Sequence, residues 1–174
     1  MEVRSLSGVL LLSVSGGGVA SWDVQFMMLA LENARLAAGR GEVPVGAVVV
    51  ADGQLIGWGC NDRKSTGAVL GHAELNALRM AAEALGDWRL PKKSTVYVTL
   101  EPCIMCAGAL LQARVGRIVF GCRDPKFGAL RSLYCLAEDP RQSHRAGVEE
   151  GVLKELCESG LQLFFENIRS GSPS

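Results

Sequence analysis

No charge of either sign prevails in this 174-residue chain: 18 lysines and arginines balance 18 aspartates and glutamates. A zero net charge argues against a protein that grips nucleic acid through bulk electrostatics, which normally needs a basic excess. Nor does any stretch approach the roughly 18 to 20 apolar residues of a membrane-spanning helix. There is no internal repeat and no linker, which excludes a solenoid and a pair of tethered domains. At 48% apolar and 21% charged residues the chain is neither disordered, collagen-like nor a coiled coil. Its length suits one domain with a real core. Histidine is scarce as well, with only His72 and His144 in the chain.

Six cysteines are present, at 60, 103, 106, 122, 135 and 157. Only Cys103 and Cys106 lie close together; the rest sit singly and read as core thiols. In a chain with no sign of a small secreted scaffold, a Cys-x-x-Cys pair points to metal or redox chemistry ahead of disulfide stapling. Residues 1–21 differ in composition, with an apolar piece from Gly8 to Val14 that ends on Gly16-Gly17-Gly18. They read as a disordered or mis-started extension, and only weakly as a secretory or organelle signal, because Glu2 cancels Arg4. Residues 170–174 read as a frayed tail, which leaves residues 22–169 as the domain.

Within it, Met27, Ala30, Leu31, Ala34 and Ala38 mark a helix over 23–38. Residues 43–51 form a continuous, valine-rich buried strand. Asp52-Gly53 signals a hairpin turn, and 55–60 is the returning strand. A polar loop over 61–71 leads to a helix over 72–85, whose face is set by Leu75, Leu78, Ala82 and Leu85. A strand at 95–100 runs into Pro102, which a helix start tolerates, and a helix continues from Cys103 to about Arg114. A short strand at 117–121, a turn-rich basic connection over 124–145 and a helix over 152–165 complete the chain, with Leu153, Leu156, Gly160 and Phe164 in register. Strand, helix and strand alternate after an opening hairpin, which predicts a layered α/β sandwich with a mixed sheet.

The residues that carry chemistry are His72-Ala73-Glu74 and, further on, Pro102-Cys103-Ile104-Met105-Cys106. Cysteines at i and i+3 of a helix share a face and can reach one ion. Two thiolates and an imidazole suit zinc, and three protein ligands leave a fourth position for water. Glu74 stands close enough to that water to move its protons without serving as a ligand. Alone, the Cys-x-x-Cys pair could equally be a redox pair or half of a structural zinc knuckle. A structural site needs a fourth ligand, and the chain has no second compact pair to supply it.

His-x-Glu followed by Pro-Cys-x-x-Cys is the pattern of the zinc nucleobase deaminases. The flanking blocks Glu42-Val43-Pro44-Val45-Gly46-Ala47, Val98-Thr99-Leu100-Glu101, Ala107-Gly108-Ala109, Val119-Phe120-Gly121, Asp124-Pro125-Lys126, Asp139-Pro140-Arg141, His144-Arg145 and Phe164-Phe165 narrow it. In collinear order over roughly residues 22–169, they resemble the bacterial-type tRNA-specific adenosine deaminases. That resemblance implies a cytidine deaminase-like fold, a three-layer α/β/α sandwich on a mixed sheet of about five strands. It implies conversion of adenosine to inosine at the wobble position of a tRNA anticodon stem-loop, in a cytoplasmic homodimer. It also implies one Zn2+ per chain on His72, Cys103 and Cys106, with Glu74 as proton shuttle and Asn61 binding the extruded nucleoside.

The chain departs from the family at Ala68-Val69-Leu70-Gly71, where relatives carry Asp-Pro-Thr-Ala before the histidine. It departs again at Phe127 and Arg131, where they place a small residue and a glycine. The changed rim keeps open a free-base or nucleotide deaminase acting on guanine, cytosine or a related ring. A non-catalytic subunit of a heteromeric editor would have no need of Glu74, and a thioredoxin-like redox pair no need of His72. The charge balance is also uneven: residues 113–145 hold seven basic against three acidic side chains. This local excess reads as a small footprint for an RNA backbone.

Overall fold

Valine builds the centre of the sheet. In a computed structural model, which describes residues 21–171, strand β1 (Gly46–Ala51) is buried at all six positions, as its uninterrupted apolar run predicts for a strand covered on both faces. Asp52 and Gly53 turn the chain with φ of 50° and 76°, the left-handed pair of a type I′ hairpin, and β2 (Gln54–Cys60) returns antiparallel. On the other side of β1 comes β3 (Thr95–Leu100), antiparallel. Strands β4 (Arg117–Cys122) and β5 (Gly147–Glu150) then add in parallel, for the order β2-β1-β3-β4-β5.

Helix α1 (Trp22–Ala38) and helix α5 (Lys154–Ser170) cover one face, where Met27, Ala30, Val48, Tyr97, Val119 and Cys157 form a core. Helix α3 (Ala73–Leu85) and helix α4 (Ile104–Gln112) cover the other, packing Ala77, Leu110 and Leu111 on Val49, Val98 and Phe120. The result is the expected three-layer α/β/α sandwich on a mixed five-stranded sheet. Ser21 caps α1 by accepting from the Val24 N–H. Asp23 in the first turn of α1 takes a bidentate pair from Arg117 of β4 and a hydrogen bond from the Tyr97 hydroxyl of β3. Of the extension expected over 1–21 only Ser21 lies within the described residues, and of the tail only Ser170 and Gly171.

The structure corrects the sequence reading in six places. The 61–71 loop contains a single helical turn, α2 (Arg63–Thr66). Pro102 precedes the capping residue Cys103, so α4 opens later than a proline-led start implies. The buried face of α3 is Ala73, Glu74, Ala77, Leu78 and Ala81, while Leu85 is exposed. The reason lies opposite: a Cβ on Gly59 of β2 would stand 2.5 Å from the Ala73 carbonyl, and one on Gly57 2.4 Å from that of Ala77. Only alanines against glycines let the helix approach so closely. On α5 Leu156 is exposed, and Cys157 and Phe164 point inward. A fifth strand, β5, forms where the sequence pattern predicts no element, and Cys135 is exposed rather than a core thiol.

Candidate active site

Two helix N-termini on the same face of the sheet build the site. His72 caps α3 and Cys103 caps α4. Cys106, one turn along α4, is fully buried. The His72 Nδ1 atom lies 3.8 Å from the Cys103 Sγ and 3.5 Å from the Cys106 Sγ, and the three donor atoms all fall within 4.8 Å of one another. Tetrahedral zinc, with Zn–N and Zn–S bonds of about 2.0 to 2.3 Å, sets an N···S edge of about 3.6 Å. The cluster therefore fits such an ion by donor chemistry and by spacing. Among the described residues it is the one group of three or more His, Cys, Asp or Glu side chains so arranged. His144 stands apart, with its Nε2 2.7 Å from the Val115 carbonyl oxygen.

The hydrogen bond of Cys103 with Cys106, and then that with His72, hold its thiol down to about 3, while Cys106 is pushed far above the usual thiol range by the same bond and by burial. The bond to Cys103 raises His72. Glu74, in the first turn of α3, is only 3% exposed, and its burial pushes the carboxyl up to about 7. It lies against Cys106 without joining the converging donors.

Asn61 ends β2's edge of the site. Its Oδ1 accepts from the Ala73 N–H at 3.0 Å, and its Nδ2 donates to the Val43 carbonyl at 3.1 Å. The first satisfies an orphan N–H of α3 and so fixes the helix that carries His72 and Glu74. The structure thus gathers His72, Glu74, Cys103, Cys106 and Asn61 at one end of the sheet. Leu70, whose carbonyl accepts from the His72 N–H, and Val69 before it are 61% and 74% exposed, so the altered rim presents two apolar side chains to solvent.

Glu101 escaped the sequence reading. This carboxylate, 2% exposed between β3 and Cys103, accepts at one oxygen from the N–H groups of Leu130, Arg131 and Ser132 at 3.0, 2.7 and 2.9 Å. Its other oxygen takes the Asp124 N–H at 3.1 Å and the Ser132 hydroxyl. Burial alone would raise its pKa, but the Ser132 hydroxyl and these N–H groups outweigh burial and hold it below the usual range. Glu101 thereby ties the 124–132 loop beside the cysteines, where Gly128 pairs with Cys103. A Cβ at Gly128 would stand 2.3 Å from the Glu101 carboxyl. The signal available was an acidic residue at the end of an apolar strand, directly before Pro-Cys.

The basic stretch is thinner than its sequence count. Arg117 pairs with Asp23 and Glu149, Arg123 with Glu150, Arg131 with Glu138 and Arg141 with Asp139. Among the described residues, Arg114, Lys126 and Arg145 are the cations of that stretch without a carboxylate in ion-pair reach.

Comparison with known proteins agrees with this arrangement. Residues 21–157 match the family described as MafB19-like deaminase. The tRNA-specific adenosine deaminase of Bacillus subtilis is 44% identical over 147 residues, 84% of this chain and 91% of that protein. Its namesake from Haemophilus influenzae is 44% identical over 151 residues, covering 86% of this chain and 87% of the relative. A solved structure from a study of A-to-I editing by tRNA:A34 deaminases at the wobble position superposes with a TM-score of 0.75 at 44% identity, over 79% of this chain and 99% of that one. Identity of this order across nearly the whole of each relative means that the chain belongs to the family of tRNA-specific adenosine deaminases.

Proposed function

We propose that this enzyme converts adenosine to inosine at the wobble position of a tRNA anticodon, using His72, Cys103 and Cys106 to hold one zinc ion and Glu74 to move protons. The observation that carries the reading is an open three-donor cluster with a buried carboxylate beside it, in a chain of this family. The target base sits within a stacked anticodon loop and must be turned out of it to be reached. Zinc, when bound, lowers the pKa of water toward about 7 and so makes a nucleophile available at neutral pH. With the ion in place, Glu74 would take one proton from the water as it adds at C6 and deliver it to N1, then carry the hydroxyl proton to the amino nitrogen, which leaves as ammonia as the C6–N bond breaks. Burial raises the Glu74 carboxyl above the ordinary carboxylate range, which suits a group that both accepts and donates protons.

Asn61 retains one Nδ2 hydrogen beyond the bond to Val43, and that hydrogen is its contribution to holding the nucleoside. The deaminase domain spans residues 22–169, and family resemblance supports a cytoplasmic homodimer acting on the anticodon stem-loop. No helix among the described residues is long and apolar enough to cross a membrane. The test is incubation of the purified protein with an anticodon stem-loop and, separately, with free bases, followed by measurement of inosine, xanthine and uracil. Inosine in the RNA, abolished in Glu74→Gln with zinc content still near one per chain, is the expected result. Turnover of free guanine or cytosine with the RNA left intact would overturn it in favour of a free-base deaminase.

A further inference from the structure

The loop beside Cys103 carries an aromatic ring that stands mostly in solvent. Phe127 is 66% exposed and makes none of the ring contacts found among the described residues. A large apolar side chain in water is costly to maintain on a mobile loop, yet this loop is held firmly. Asp124 Oδ1 accepts from the Lys126 and Phe127 N–H groups at 2.9 and 3.2 Å, and the Asp124 carbonyl accepts from Gly128. The next residue, Gly128, pairs with the backbone of Cys103, and Ala129 donates to the Pro102 carbonyl. Phe127 therefore stands at a fixed place one residue from the strand-like contact with Cys103. Lys126 beside it is exposed and has no carboxylate in ion-pair reach, unlike four of its basic neighbours in the sequence.

A rigid aromatic next to an uncommitted cation is the pairing that binds single-stranded nucleic acid, the ring taking a base and the cation its phosphate. We propose that Phe127 is a stacking platform for a base flanking the extruded adenosine, with Lys126 on the adjoining phosphate. Turning one nucleotide out of a loop leaves its neighbours without a stacking partner on that side, and Phe127 supplies one within the frame of the metal site. The inference rests on the RNA-editing reading above and names the residue that recognises the strand around the target. Because Phe127 is exposed, its replacement leaves the core intact.

The experiment compares wild-type enzyme, Phe127→Ala and Phe127→Tyr on an anticodon stem-loop and on versions in which either flanking nucleotide is abasic. Phe127→Ala should raise KM about ten-fold at unchanged kcat and zinc content, and Phe127→Tyr should restore it. With the abasic nucleotide at the stacked position, wild type and Phe127→Ala should become equal. Equal KM values on the intact stem-loop, or a ten-fold difference that persists on both abasic substrates, would overturn the stacking role. So would a change in oligomeric state in Phe127→Ala, which would place the ring between copies of the chain. Failure of the wild type itself to form inosine would instead refute the editing function, so the two failures are distinguishable.

Discussion

Replacing Glu101 by glutamine keeps the side-chain volume and removes one charge, which isolates what the carboxylate does. Three N–H groups converge on one of its oxygens, so the glutamine amide nitrogen cannot sit there and must face the Asp124 N–H instead. Each of the three bonds loses its charge assistance, about 1 kcal/mol apiece, and the opposed Asp124 donor is left unsatisfied at a further 1 to 3 kcal/mol or so. The Ser132 hydroxyl rotates to accept and offsets little. The expected loss is about 4 to 6 kcal/mol, a large part of the stability of a domain this size. Urea unfolding of both proteins at neutral pH measures it, and hydrogen exchange at Leu130, Arg131 and Ser132 localises it. Because the folded pKa is depressed, the carboxylate's contribution is complete above its ordinary value of 4.5 and lost as pH falls through the folded value. The gap between wild type and Glu101→Gln should therefore close in acid. A difference under about 1 kcal/mol at neutral pH would refute the assignment of Glu101 as the tie that organises the loop.

Three further substitutions test the frame. Gly59→Ala places a Cβ 2.5 Å from the Ala73 carbonyl and 2.6 Å from the Ala77 nitrogen; backbone cannot yield cheaply, so thermal unfolding should show a loss of about 1 to 3 kcal/mol. In contrast, Gly108→Ala in α4 meets nothing within 4 Å and should gain about 0.5 to 1 kcal/mol in the same assay. Asp23→Asn breaks the half-exposed pair with Arg117 and should cost about 1 kcal/mol at neutral pH. Its carboxyl is held below 3.8 chiefly by Arg117 and then Tyr97, against the opposing effect of burial, so that difference should shrink as pH falls below this value. A melting-temperature gap unchanged down to about pH 2 would contradict the pairing.

The cluster of His72, Cys103 and Cys106 was legible because its donor chemistry is written in spacing: His72 and Glu74 share a helix start, and Cys103 and Cys106 share a helix face. The central strands were legible too, since a run such as Ala47 to Ala51 has only one way to be buried on both sides. The face of α3 was not. Leucines dominate its apparent stripe, but the side that can approach the sheet is the one whose alanines meet Gly57 and Gly59, and a pairing of two small surfaces leaves no hydrophobic signature. Strand β5 is four residues at the sheet edge, mostly exposed and half acidic, so it carries neither alternation nor an apolar run. The role of Glu101 depended on backbone N–H groups about 30 residues downstream, which no local pattern encodes. Charge counting misled for a related reason, because Arg117, Arg123 and Arg131 find their carboxylates on other elements.

That the converging His and Cys side chains stand at the starts of two core helices has a consequence for how such a site tolerates change. The exposed side chains of Val69, Leu70 and Phe127 lie in connecting segments that contribute no donor to the cluster. The geometry of the donors follows from the packing of α3 and α4 on the sheet, while these connecting segments can change sequence without moving a donor. Substitution at these exposed positions would therefore change what the rim presents without displacing the side chains that converge behind it.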